Sequence, residues 1–251
     1  MKLLTLARDL RRRRARERQG LFVAEGVRSV EELLRSPLRA RGLLAAPQLA
    51  AAPRGLALRT EAERQGVAVV DVTDQEFATA AETESPQGVL AVAEIPALAL
   101  DDLRLPDATR LLVLDGVQDP GNVGTILRTA AAFGTLATVA LPGTVDVWNA
   151  KVVRSAMGAH FRHPALHCTG DELDAFLRGR DIPLWGADGR GEPVAGVPRP
   201  ARLALAVGNE GSGLSASVRD RAARLLSIPI TTDVESLNVA VATGILLYEL
   251  R

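Results

Sequence analysis

The chain has 251 residues but only one cysteine, Cys168, and only 3% aromatic residues. A lone thiol excludes an intrachain disulfide and suits a reducing compartment. The scarcity of rings leaves burial to Leu, Val and Ala. No apolar run approaches the length needed to span a bilayer, so no membrane association is expected. The basic N-terminus lacks the apolar core of a signal peptide, because Arg8 to Arg18 intervene, and a cytoplasmic protein is expected. Net charge is also missing: 30 basic and 30 acidic residues cancel, so whole-molecule charge gives no argument for a nucleic-acid partner. There is no GxxxxGK[ST] loop, and no GxGxxG fingerprint follows the strand that ends at Asp115. Phosphate-loop and dinucleotide readings are therefore weak. Internal repeats and long low-complexity tracts are absent.

What is present is locally uneven. Residues 1–41 hold twelve Lys or Arg against five acids, and "RRRRARER" (11–18) is the densest basic stretch. Arginine pairs with phosphates and stacks on bases, so Arg11, Arg12, Arg13 and Arg14 are candidate RNA contacts. The alternative is a solvated helix face. Pro96 and Pro106 bracket a change in patterning and mark a boundary. Before it, "GVRSVEELLRS" (26–36) has helical spacing, while "VAVVDV" (67–72) and "GVLAVAEI" (88–95) read as strands. This predicts a small α/β domain over 1–97. After it, "LLVLDGV" (111–117), "LATVAL" (136–141), "LALAVGN" (203–209) and "LLSIPI" (225–230) are apolar runs bounded by turn residues. Helical patterns cover about 122–133, 149–158, 171–178, 214–222 and 237–250. Alternation of this kind predicts a mostly parallel sheet covered on both faces over 107–251. Ligands in such sheets bind beyond the carboxyl ends of strands.

Three glycine- and Asn-containing segments stand at those ends. In "LDGVQDPGNVGTILRTAAAFG" (114–134), Asn122 is placed to cap a helix that carries Arg128. In "LAVGNEGSGLS" (205–215), Gly208, Gly211 and Gly213 surround Glu210 after a buried strand, and glycines permit close backbone approach. In "IPITTDVESLNVAVATGILLYEL" (228–250), Ser236 is positioned to cap a last helix, and capping is also the plain reading of Asn238. Each alone reads equally well as an ordinary turn with a capped helix. "HFRHPALHC" (160–168) holds all three histidines and the cysteine. Its ligand types suit a metal, but no second ligand cluster exists elsewhere, so no metal is expected and the stretch reads as a strand or loop near the surface.

Taken together, in this order and spacing, the three segments resemble the three signature motifs of the SpoU/TrmH family of RNA 2′-O-ribose methyltransferases, within the SPOUT superfamily. The resemblance covers residues 111–251. Residues 1–95 are similar to the ribosomal-protein-like substrate-binding domain often joined to it, through "FVAEGVRSVEELL" (22–34) and "ESPQGVLAV" (84–92). It implies a C-terminal trefoil-knot α/β domain, a homodimer, and S-adenosylmethionine as cofactor. By position, Gly208, Ile228, Ile230, Leu237 and Asn238 match the cofactor contacts. Asn122, Arg128, Glu210, Ser236 and Asn238 match the active-site polar residues. Three positions depart from the family pattern: Thr232 stands where glycine is usual, Ala156 where serine is common, and Ile230 where methionine is common.

The implied chemistry is in-line transfer of an activated methyl to a ribose hydroxyl, where positioning supplies much of the rate. A guanidinium stays protonated in proteins. Arg128 would therefore favour the developing alkoxide as a cation rather than act as a simple base. Asn122 would orient Arg128 or the ribose, and Glu210 would anchor the arginine. Large-subunit rRNA is the expected substrate, by family analogy. A tRNA substrate and a non-catalytic RNA-binding protein of the same fold are the alternatives.

Overall fold

The computed structural model describes residues 2–231, 233 and 235–251. The chain forms two compact units. One comprises the residues up to Ala97 together with Trp148–Arg162; the other comprises Leu98–Val147 and His163–Arg251.

The first unit begins with α1 (Leu3–Asp9), α2 (Arg13–Gln19), β1 (Leu21–Glu25), α3 (Val27–Leu34) and β2 (Ala40–Ala45). It continues with α4 (Pro47–Ala50), α5 (Pro53–Arg64), β3 (Val69–Asp71), α6 (Asp74–Ala78) and β4 (Val89–Glu94). The four strands order as β1-β4-β2-β3. β4 runs antiparallel to both β1 and β2, and β3 joins β2 in parallel. Every residue of β1 is buried, as is β4 up to Ala93, so both faces of this sheet are covered. One face packs Leu44, Leu90 and Val92 with Leu10 and Phe77.

Phe22 carries an unusual cluster for so ring-poor a chain. Its ring lies 4.6 Å from that of Trp148 and 5.9 Å from that of Phe161, and Trp148 lies 4.1 Å from the His160 ring. Tilted aromatic pairs at such separations contribute beyond their buried area. Residues 148–162, which carry the helix α8 (Ala150–Ser155) and a 3₁₀ turn at Ala159–Phe161, therefore belong to this unit's core, with α8 packed on β1. The sequence reading placed them with their chain neighbours.

The second unit holds β5 (Thr109–Asp115), α7 (Pro120–Ala132), β6 (Ala137–Ala140), β7 (Ala165–His167), α9 (Gly170–Arg178) and β8 (Leu184–Pro193). β9 (Arg202–Gly208), α10 (Ala216–Arg221), β10 (Arg224–Ser227) and α11 (Val239–Glu249) complete it. Its six strands order as β10-β8-β9-β5-β6-β7, and all five pairings are parallel. Parallel strands covered on both faces read as continuous apolar runs, which is why β5 and β9 were visible in the sequence. Leu111, Val113, Ala204 and Ala206 pack on one side with Leu173, Phe176 and Val218. On the other side α11 packs on α7 and β9. β8 lacked such a run and was not predicted, and β7 lies in the stretch that reads as a strand or loop.

The helix starts are chemically explicit. Thr169 and Glu172 form a reciprocal capping box on α9, as Thr73 and Glu76 do on α6. α7 is capped by Asp119, whose carboxylate accepts from the Asn122 N–H at 2.8 Å, with Pro120 in its first turn. α11 is capped by Asn238. The Asp119 cap corrects the expectation that Asn122 starts α7, while at α11 the capping role read for Ser236 or Asn238 falls to Asn238.

Candidate active site

The site is built where the parallel strands end. At the end of β9, Gly208 must be glycine for steric reasons: an added Cβ would lie 2.2 Å from the Gly213 carbonyl carbon and 2.4 Å from the Leu214 nitrogen. The loop folds back through paired Asn209 and Gly213 backbone bonds, each 2.9 Å. Asn209 then pins this loop to the one after β5. Its Nδ2 donates to the Gly116 carbonyl at 2.9 Å, while its Oδ1 accepts from the Gly211 and Ser212 N–H groups at 3.0 Å each. Asp115, at the end of β5, accepts from the Ser215 N–H at 2.6 Å. Thr144 accepts from the Gly116 N–H and donates to the Leu114 carbonyl. Sequence reasoning missed Asn209, Asp115 and Thr144 as organisers. An Asn inside a glycine-rich turn was the available signal, because Asn side chains hydrogen-bond nearby backbone.

On this frame Glu210 accepts from the N–H groups of Gln118 at 3.1 Å and Asp119 at 3.0 Å. It also accepts from Asn122 Nδ2 at 3.1 Å. An ionised carboxylate only accepts, so Asn122 must turn its amide nitrogen toward Glu210. That leaves Asn122 Oδ1 to accept from Asn238 Nδ2 at 3.0 Å. Asn238 Oδ1 in turn accepts from the Ala240 and Val241 N–H groups that start α11. The three sequence segments are thus joined by one directional chain, Asn238 to Asn122 to Glu210. Partial burial would raise the Glu210 carboxyl, but the Asp119 and Gln118 N–H groups and the Asn122 amide outweigh it and hold the group below its ordinary value.

Arg128 stands exposed on α7, with no hydrogen bond or ion pair to any described residue. The expectation that Glu210 anchors it is corrected here: the acceptors of Glu210 are taken by two backbone N–H groups and Asn122, because the turn before α7 would otherwise leave those donors orphaned. Ser236 is exposed and caps nothing. Gly208 is buried, Ile228 and Leu237 are half-buried, and Ile230 is 41% exposed. Thr232 lies outside the described residues. Ala156 is fully buried in the first unit.

Apolar side chains left partly open beyond strand ends, together with loops that present backbone rather than charge, form a donor set that fits an adenosine-bearing cofactor. Gly208, Ile228, Ile230 and Leu237 are the residues that would hold it.

The histidine-rich stretch, read as a strand or loop near the surface, does contain the edge strand β7 with His167 exposed, but its first two histidines are buried. His163 is buried and shares a 2.8 Å hydrogen bond with Thr138, and burial pushes its imidazole down to about 4. His160 is buried against Trp148. His167 Nε2 lies 3.7 Å from Asp146. Burial pushes the Cys168 thiol up to about 11. Each group is occupied in packing of its own. Among the described residues no helix is long and apolar enough to cross a membrane.

The basic stretch is exposed throughout Arg11–Arg14. Three of the four have local partners: Arg11 the Thr79 carbonyl, Arg12 the Asp9 carboxylate, and Arg13 the Glu17 carboxylate at 2.7 Å. Arg16 is buried and donates to the Leu10 and Arg11 carbonyls, a structural role.

The chain is similar to known proteins over most of its length. Residues 109–248 match the model of the SpoU rRNA Methylase family, and residues 5–91 match the MRM3-like substrate binding domain. The chain is 35% identical over 245 residues to 23S rRNA (guanosine(2553)-2′-O)-methyltransferase RlmP of Bacillus subtilis, covering 97% of this chain and 94% of that protein. It is 38% identical over 195 residues to 23S rRNA (guanosine-2′-O-)-methyltransferase RlmB of Bordetella pertussis, covering 75% and 80%. Among solved structures, the SpoU methyltransferase AviRb from Streptomyces viridochromogenes, in complex with AdoMet, superposes with a TM-score of 0.90 at 28% identity. That match covers 98% of this chain and 96% of AviRb. With the motif segments joined at the ends of a parallel sheet and the match spanning both halves of the sequence, the chain belongs to the SpoU rRNA methylase family.

Proposed function

We propose that this protein transfers a methyl group from S-adenosylmethionine to a ribose 2′-hydroxyl of RNA, with 23S rRNA as the substrate. The observation that carries the assignment is the Asn238–Asn122–Glu210 chain, which fixes the turn before α7 while leaving Arg128 unpaired among the described residues. S-adenosylmethionine, when bound, supplies an activated methyl. Arg128 offers a cation to the 2′-hydroxyl, lowering the cost of removing its proton and stabilising the alkoxide that forms. Asn122 and Glu210 act on the position of that turn rather than on Arg128 itself. Ser236 is exposed beside Asn238 and is the remaining polar group available to the ribose or the cofactor.

Residues 1–97 are proposed as the RNA-binding part and 107–251 as a knotted methyltransferase domain acting in the cytoplasm. Arg11–Arg14 are proposed RNA contacts, all exposed, with Arg14 unpaired among the described residues. A homodimer is supported by the open face of α11, where Val241 is 53% and Tyr248 49% exposed. Size-exclusion chromatography with light scattering tests this, and a monomer at micromolar concentration would dispose of it.

The test of function is methyl transfer. The protein is incubated with radiolabelled S-adenosylmethionine and, separately, unmodified 23S rRNA, large ribosomal subunits and tRNA, and the labelled nucleosides are identified. A 2′-O-methyl nucleoside from 23S rRNA or the subunit is the expected result. Label in tRNA alone would reassign the substrate. Cofactor binding without label from any RNA would defeat the enzymatic reading.

A further inference from the structure

A second polar pocket lies within the first unit, lined by Glu25, Arg28, Ser29, Ser85, Gln87 and Arg154 among others, with a volume of about 290 Å³. Its walls come from the turn into α3 and from α8. Two features mark it as built for a ligand. Ser29 is 92% buried, yet its Oγ has no hydrogen-bond partner. Nη1 of Arg154 is likewise buried without a partner. Buried polar atoms are nearly always satisfied, and an orphan asks for an explanation.

The charge and donor pattern says what the ligand is. Gly26, at φ +96°, turns the chain so that α3 opens on the pocket. Gln87 Oε1 takes the Val27 N–H at 2.9 Å, which leaves the Arg28 and Ser29 N–H groups without an intrahelical acceptor. A helix N-terminus with free N–H groups favours an anion. Arg28 and Arg154 add two cations, and Ser29 adds a hydroxyl donor. Glu25 supplies the one carboxylate, but it is turned to its own loop. It accepts from the Glu82 N–H at 2.9 Å, the Thr83 N–H at 3.4 Å and the Thr83 hydroxyl. The pocket is therefore rich in donors, cationic on balance and rigidly edged.

We infer that this pocket binds a phosphodiester of the RNA substrate, with Arg154 and Ser29 as its inner contacts and Arg28 at its mouth. This rests on the methyltransferase reading for the identity of the RNA, but not for the existence of the anion site.

The test uses the full-length protein and two variants, Arg154→Gln and Ser29→Ala. RNA affinity is measured by fluorescence anisotropy across a salt series. Thermal melting is followed with and without inorganic phosphate. Ser29→Ala removes a hydroxyl that holds no protein partner, so it should fold as the wild type does and remains informative if Arg154→Gln is unstable. The expected result is RNA affinity lowered about tenfold in Arg154→Gln and about threefold in Ser29→Ala. The slope of log affinity against log salt should become shallower by about one in Arg154→Gln. Inorganic phosphate should raise the melting temperature of the wild type and not that of Arg154→Gln. Wild-type affinity and slope in both variants would overturn the proposal. Loss of the phosphate effect in Arg154→Gln, with no RNA bound by the wild type, would overturn the assignment to RNA and with it the methyltransferase reading, leaving a site for a small phosphate ester.

Discussion

The two units cover a buried sheet with different materials. The second unit relies mainly on aliphatic side chains, Phe176 being the exception, drawn from strands and helices that follow one another along the chain. The first completes its core with rings, and Phe22 meets Trp148 and Phe161, which enter from more than a hundred residues away. The contrast extends to arginine. In the second unit Arg128 is left without a partner among the described residues at the proposed chemistry. In the first, Arg12 and Arg13 are spent on neighbouring acids while Arg154 keeps a buried nitrogen unpaired. A missing partner among the described residues marks Arg128 and Arg154 more specifically than density of charge marks Arg11–Arg14, most of which would have to exchange a local partner for RNA.

That comparison is broken most severely at Arg128. Arg128→Ala should lower methyl transfer by about a thousandfold, the scale of losing one group that stabilises developing negative charge. S-adenosylmethionine affinity, measured by calorimetry, should stay within about twofold of the wild type. Parallel loss of cofactor affinity would mean that Arg128 shapes the pocket instead of the transition state.

Phe22→Ala tests the ring cluster. Truncating a fully buried phenylalanine costs about 3–5 kcal/mol. The two tryptophans report separately, since Trp148 belongs to the first unit and Trp185 to the second. Urea unfolding followed by intrinsic fluorescence should shift strongly for Trp148, as isolated in a Trp185→Phe background. A shift below about 1 kcal/mol would show that the rings are only neighbours.

How much of this was legible follows from the same contrast. β5 and β9 announced themselves because a strand buried on both faces is a continuous apolar run. The motif segments were found because they recur in a known order. The partner of each site residue was not legible. Nothing in sequence spacing says that Glu210 will accept from the Gln118 and Asp119 N–H groups, or that Asn238 and not Ser236 will cap α11. Those outcomes depend on which orphan donors the folded turns present. The packing of α8 on β1 was not legible for a similar reason: a short helix carries no mark of the sheet it will cover. His160 and His163 were misplaced at the surface, and for His163 the reason is that polarity was read without the hydrogen bond shared with Thr138 that makes its burial tolerable.

His163 supplies a smaller and more selective test, confined to the second unit. Its imidazole titrates at about 4 in the folded protein because it is buried, against about 6.5 in an unfolded chain. Above pH 6.5 both states hold it neutral and it contributes no pH dependence. As pH falls below 6.5 the unfolded chain takes up a proton that the folded one refuses, so stability is lost progressively down to about pH 4. Between pH 7 and 5 the loss from this group should be about 2 kcal/mol. His163→Gln can keep a hydrogen bond to Thr138 and should flatten that part of the profile, whatever it does to stability at pH 7. An unchanged acid dependence in the variant would place the proton elsewhere.

The finest comparison uses the two capping boxes, one in each unit. Thr73→Ala and Thr169→Ala remove the same hydroxyl bonds, to the Glu76 and Glu172 N–H groups and carboxylates, while the backbone N–H of each residue still donates to its glutamate, and each should cost about 1 kcal/mol. Because the chemistry is matched, the response reads the architecture around it. Native-state hydrogen exchange should show faster exchange in α6 and its neighbours for Thr73→Ala, and in α9 for Thr169→Ala, since local openings follow cooperative segments. If either substitution accelerated exchange equally across both cores, the units would unfold as one cooperative body. The separation of an aromatic core from an aliphatic one would then describe composition rather than stability.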